Sequence, residues 1–120
     1  MTKLLVIDDD TNLLNFLYEE LTEAGFNVQT VDNGADAIVL VAEQNFDLIL
    51  LDMLMPGLDG IQVVRVLKKV APGVPIIGLT GYVGRGYMSQ AMDLGVNILT
   101  KPVVFSELVK EIQENISPKS

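Results

Sequence analysis

The sequence contains neither cysteine nor histidine. Without cysteine there is no disulfide, no thiol nucleophile and no thiolate metal site. Without histidine there is no Ser-His-Asp triad, no imidazole ligand for a metal, and no phosphohistidine on this chain. The side chains left for chemistry are carboxylates, hydroxyls, lysine and arginine. Long apolar runs are also missing. Leu4-Leu5-Val6-Ile7, following Lys3, stops at Asp8, too short for the core of a signal peptide. No window approaches the ~18 apolar residues of a membrane helix. These absences lead us to expect a cytoplasmic protein without membrane contact. Basic excess is lacking too: eight Lys and Arg against sixteen Asp and Glu give a formal net charge of −8. No footprint for nucleic acid or a polyanionic surface results, so no direct nucleic-acid binding is expected.

What is present fits one domain. The 120 residues leave little room for a second, and 49% apolar content is enough for a core. Short apolar runs alternate with longer amphipathic stretches. Strands are expected at Leu4–Ile7, Phe26–Val31, Phe46–Leu51, Pro75–Leu79 and Val96–Leu99. Helices are expected where Leu13, Leu14, Leu17 and Leu21 recur, with Gly25 as a stop, then over Ala35–Gln44, Ile61–Val70, Met88–Leu94 and Phe105–Ile116. Met53–Gly60, with Pro56, Gly57 and Gly60, reads as a loop. Five β–α units in regular alternation favour a parallel sheet covered by helices on both faces, because parallel strands need crossover connections. The domain is assigned to residues 1–116, and 117–120 to a tail or the start of a linker.

In such sheets ligands bind beyond the carboxyl ends of the strands. Asp8, Asp9 and Asp10 follow the first strand, Asp52 the third, Thr80 the fourth and Lys101 the fifth. If these strands are neighbours, the four sets converge on one edge. Clustered carboxylates resist ionisation unless a cation compensates. A hard divalent ion does so, leaving positions for phosphate oxygens. Lys101 adds positive charge and Thr80 a hydroxyl. One carboxylate then attacks a phosphoryl group to give an acyl phosphate. Asp10 and Asp59 each precede a helix and read as caps rather than ligands.

Taken together these segments resemble the response-regulator receiver domains over nearly the whole chain. Leu4-Leu5-Val6-Ile7-Asp8-Asp9-Asp10 is similar to the family's first strand and acidic pair. Asp52-Met53-Leu54-Met55-Pro56-Gly57-Leu58-Asp59-Gly60 resembles its phosphoacceptor segment. Leu79-Thr80-Gly81 resembles the switch hydroxyl with its small neighbour, and Lys101-Pro102 the lysine that precedes a cis proline bond. The resemblance implies a flavodoxin-like (βα)5 fold with strand order 2-1-3-4-5. It implies Asp52 as phosphoacceptor, and Mg²⁺ (or Mn²⁺) held by Asp8, Asp9, Asp52 and the backbone carbonyl of Leu54. It places Thr80 and Lys101 on the phosphoryl oxygens. The implied partners are a histidine kinase or histidine phosphotransfer protein, and an output domain or protein on the face of helix four, strand five and helix five. Ile98 and Phe105 are assigned to that face. The domain is expected to be a signalling switch with self-catalysed phosphotransfer and autodephosphorylation, not a turnover enzyme.

The pattern departs from the family at the output end. Many receivers carry an aromatic three residues before the lysine, where this chain has Ile98, and Val103 follows Pro102 where Phe is common. Gly81, Gly84 and Gly86 crowd the fourth loop, which is expected to be mobile. Leu54 and Tyr82 are expected to screen the acyl phosphate from water. Three other readings compete. Asp8-Asp9-Asp10 offers the Asp-x-Asp of a haloacid-dehalogenase-like phosphatase, but Asn12 does not fit that motif and Asp52–Gly60 has no role there. A flavodoxin-like cofactor binder needs a Ser/Thr/Gly-rich phosphate loop where this chain has three aspartates. A receiver used only for protein interaction gives no reason for Asp8, Asp9, Asp52, Thr80 and Lys101 to occur together.

Overall fold

The computed structural model describes residues 1–55, 58–81 and 87–116. The tail at 117–120, and the loop positions Tyr82, Gly84 and Gly86, lie outside the described residues. Strands β1 (Lys3–Ile7), β2 (Asn27–Val31), β3 (Leu48–Asp52), β4 (Ile76–Thr80) and β5 (Asn97–Thr100) alternate with helices α1 (Thr11–Glu23), α2 (Gly34–Glu43), α3 (Gly60–Val70), α4 (Tyr87–Asp93) and α5 (Phe105–Ile116). The strands form one parallel sheet in the order β2-β1-β3-β4-β5. This is the flavodoxin-like arrangement expected from the sequence.

Alternation along the strands decides which side chain enters which layer. In β1, Leu5 and Ile7 join one core, with Ala37 and Val41 of α2, Ile61, Val64 and Leu67 of α3, and Ala91 of α4. Leu4 and Val6 point the other way, to Leu14, Leu17 and Leu21 of α1 and Leu108 and Ile112 of α5. Leu17 and Leu21 are fully buried, and burial of each such side chain stabilises the fold by about 1.5–3 kcal/mol. Strands β1, β3 and β4 are covered on both faces, which is why they are continuous apolar runs.

The helix ends follow local chemistry. The Asp10 carboxylate accepts from the N–H groups of Asn12 (3.0 Å) and Leu13 (3.2 Å), capping α1. Asn33 caps α2 by accepting from Asp36 N–H at 2.8 Å, and Asp59 caps α3 by accepting from Ile61 N–H at 3.0 Å. Gly25 ends α1 at φ +102°, in the left-handed region that glycine enters without a Cβ penalty.

One segment differs from its sequence reading. Within the expected loop Met53–Gly60, Leu54–Met55 pairs antiparallel with Leu58–Asp59. The expected loop therefore carries a short antiparallel pair just beyond the carboxyl end of β3, in register Leu54 with Asp59 and Met55 with Leu58. The third strand also starts later than expected. Asp47 stands just before it, its carboxylate accepting from Lys3 N–H at 2.8 Å.

Candidate functional site

Because all five strands run parallel, their carboxyl ends share one edge. Asp8 follows β1, Asp52 is the last residue of β3, Thr80 the last of β4, and Lys101 follows β5. The ladders continue into the site. Asp8 N–H donates to the Val31 carbonyl at 3.2 Å, Met53 N–H to the Leu79 carbonyl at 2.9 Å, and Lys101 N–H to the Thr80 carbonyl at 2.9 Å. The site residues are therefore fixed by sheet hydrogen bonds rather than carried on free loops.

Asp8, Asp9 and Asp52 each place one carboxylate oxygen within 4.8 Å of the others. Asp8 and Thr80 are fully buried and Asp52 is 4% exposed, whereas Asp9 faces solvent. Lys101 enters from the fifth strand. Its Nζ lies 3.1 Å from Asp8 Oδ2 and 3.4 Å from Asp52 Oδ2. The remaining oxygens are partly satisfied by backbone: Asp8 Oδ1 accepts from Asp10 N–H at 2.9 Å, and Asp52 Oδ1 from Leu54 N–H at 3.1 Å. Two of the three carboxylates, Asp8 and Asp52, thus share one lysine. The arrangement is short of positive charge, and its donor set is all oxygen, which suits a hard divalent cation.

The imbalance shows in the acid constants. Burial pushes the Asp52 carboxyl up to about 6, with the Asp8 charge adding to the rise; the Leu54 N–H and the Lys101 charge pull the other way. Burial works against the Lys101 ammonium, but the hydrogen bond and charge of Asp8, helped by Asp52, outweigh it and leave its pKa raised.

The segment after Asp52 has its own constraint. Gly60 is buried, and a Cβ there would collide with the Met53 carbonyl oxygen and stand 2.7 Å from Met53 Cα. Only glycine lets the first turn of α3 close against the backbone beside Asp52. Met53 and Met55 are buried, while Leu54 between them is 46% exposed at the mouth of the site.

The other expected positions fall as follows. The Lys101–Pro102 peptide is cis. Ile98 packs on the α2–α3–α4 side of the sheet, and Phe105 on the α1–α5 side. Phe105 meets Phe16 of α1 edge to face, with centroids 6.3 Å apart. The structure therefore brings Asp8, Asp9, Asp52, Thr80 and Lys101 to one edge, and sets Ile98 and Phe105 on opposite faces of the sheet. Gly60, Gly78 and Met53 escaped the sequence reading as packing determinants of the site. A glycine in an apolar strand, as at Gly78, was the available signal of close approach.

The chain matches the response regulator receiver domain family over residues 4–113. It belongs to that family. Transcriptional regulatory protein CusR of Escherichia coli K12 is 35% identical over 112 residues, covering 92% of this chain and 49% of that protein. The chain thus spans about half the length of that relative. Response regulator receiver protein CpdR of Brucella abortus is 32% identical over 115 residues, covering 95% of this chain and 96% of that protein. The CheY-like receiver domain protein from Methanospirillum hungatei JF-1 superposes with a TM-score of 0.92 at 25% identity, covering 97% of this chain and 94% of that one. The chain is accordingly a receiver domain of the two-component response regulators. No described helix is long and apolar enough to cross a membrane.

Proposed function

We propose that this receiver takes a phosphoryl group onto Asp52. The donor is a phosphohistidine on a histidine kinase or phosphotransfer protein, or a small acyl phosphate. The observation that carries this reading is the cluster of buried Asp8 and Asp52 with half-buried Lys101, with Asp9 completing the set of oxygens. An Asp52 oxygen attacks phosphorus, the P–N bond to the donor imidazole breaks, and the imidazole keeps the electron pair and takes up a proton. The product is an aspartyl phosphate. Hydrolysis reverses the site: water attacks phosphorus, the bond to the Asp52 oxygen breaks, and inorganic phosphate leaves. Asp8, Asp9, Asp52 and the Leu54 carbonyl would hold Mg²⁺ (or Mn²⁺), which supplies positive charge to the phosphoryl oxygens when bound.

The chain's own residues do the rest. Lys101, already between Asp8 and Asp52, neutralises charge on the incoming phosphoryl oxygens. Thr80 donates its hydroxyl to them. That added contact draws the fourth strand's carboxyl end toward Asp52 and biases the domain between two populations. The face of α4, β5 and α5 then meets an output domain or protein. The domain acts in the cytoplasm as a switch that modifies itself, not as an enzyme turning over free substrate, and binds no nucleic acid directly. Beryllofluoride, which mimics the phosphoryl group, tests this reading. With Mg²⁺ it is expected to shift the backbone amides around Asp52, Thr80 and Lys101; the absence of a shift, or the same shift in Asp52→Asn, counts against it.

A further inference from the structure

Helix α3 is the basic element of an acidic chain. It holds Arg65, Lys68 and Lys69, three of the eight cations, and no acid; the remaining five cations face sixteen acids. Among the described residues none of the three has a carboxylate within ion-pair distance, whereas Lys101 has two. They border a groove of about 500 Å³ between α3 and the end of α4, whose apolar lining is Val66 and Leu94. Val66 is 39% exposed within it. Favourable charge at a helix C-terminus accounts for Lys68 and Lys69. It does not account for Arg65, nor for apolar side chains left in water beside the cations.

We propose that this α3–α4 groove docks a short acidic segment of a partner protein, with apolar residues seated on Val66 and Leu94 and carboxylates paired with Arg65 and Lys69. Charge selects the occupant. A second copy of the chain related by a twofold axis would set three cations against three. A nucleic acid or anionic membrane would meet the net charge of −8 over the whole domain, which three cations do not offset. A short acidic segment brings few charges and keeps them at the groove. The site lies on the α2–α3–α4 side of the sheet, opposite α1 and α5, and its lining includes none of Asp8, Asp9, Asp52, Thr80 or Lys101.

The test is an NMR titration of the intact domain with a synthetic amphipathic peptide of Glu and Leu at helical spacing. Shifts are expected at amides 62–70 and 92–94, at least tenfold weaker binding to Arg65→Glu/Lys69→Glu, and weaker binding to Val66→Ser. Because these are exposed positions, far-ultraviolet circular dichroism verifies that each variant is folded. No shifts at those amides would overturn the proposal. So would equal binding of polyglutamate, which lacks the apolar anchors, or tighter binding of duplex DNA or phosphatidylserine vesicles. Concentration-dependent dimerisation lost in the Arg65→Glu/Lys69→Glu variant would overturn it in favour of self-association.

Discussion

Gly78 and Ile98 are register partners in the β4–β5 pair, and a methyl group on Gly78 would stand 2.8 Å from Ile98 Cδ1. The same methyl would lie 2.8 Å from Met53 Cγ. The residue after the acceptor and the residue at the family's usual aromatic position therefore share the space above one glycine. Gly78→Ala is expected to destabilise the domain by about 1–3 kcal/mol through overpacking. Ile98→Val, which lacks the crowding Cδ1, is expected to recover part of that loss. Chemical denaturation of the two single variants and the double variant measures the coupling. Strict additivity would show that the two positions do not compete for this space.

Asp52 makes the metal-free domain pH-sensitive. Its pKa is about 6 in the fold against 3.8 for the free group, so between these values the native state holds more protons than the unfolded chain. Stability contributed by the protonated acid is present at low pH and is lost as pH rises through about 6. Lys101 acts at the other end: its pKa is raised, so its contribution persists until pH passes the ordinary lysine range. In EDTA at pH 8, Asp52→Asn is expected to be more stable than the wild type by about 1–2 kcal/mol. At pH 4 the two are expected to unfold alike. A wild type that is the more stable at pH 8 contradicts this electrostatic account.

Divalent metal is expected to compete with that proton. Mg²⁺ binds the ionised carboxylates, so its affinity is expected to fall by about tenfold per pH unit below the Asp52 pKa, once that acid is protonated. Calorimetry across pH 5–8 reads the slope and the proton released (roughly one at most from this group). A flat affinity across that range would exclude Asp52 from the ligand set.

Leu54 stands 46% exposed beside the acceptor, and its N–H is bonded to the Asp52 carboxylate. Leu54→Ala keeps the backbone bond and removes the apolar cover. Its aspartyl phosphate is expected to hydrolyse several-fold faster than the wild type, measured by phosphate release after removal of the donor. An unchanged rate means the side chain does not screen the site.

The sequence was most legible where one physical rule acts alone. Short continuous apolar runs marked the strands, and apolar residues at helical spacing marked the helices. The positive-φ Gly25 and the caps Asp10 and Asp59 marked ends, because a short polar side chain or a missing Cβ acts within a few residues of itself. The convergence of Asp8, Asp52, Thr80 and Lys101 followed from topology once the strands were taken as neighbours. Less legible was anything set by close approach between distant segments. Gly60 reads as a loop glycine until the Met53 backbone is seen against it, and Gly78 as a weak strand residue until Ile98 and Met53 close over it. The ion pairs of Lys101 were hidden for the same reason. Sequence places the lysine after a strand, but only the fold turns its ammonium toward Asp8 and Asp52 rather than into solvent.

The most direct test of the account is the intact mass of the domain after incubation with Mg²⁺ and acetyl phosphate. One phosphoryl adduct is expected on the wild type, labile to hydroxylamine as an acyl phosphate is, absent in EDTA and absent from Asp52→Asn. An adduct of the same mass and stoichiometry on Asp52→Asn would contradict it.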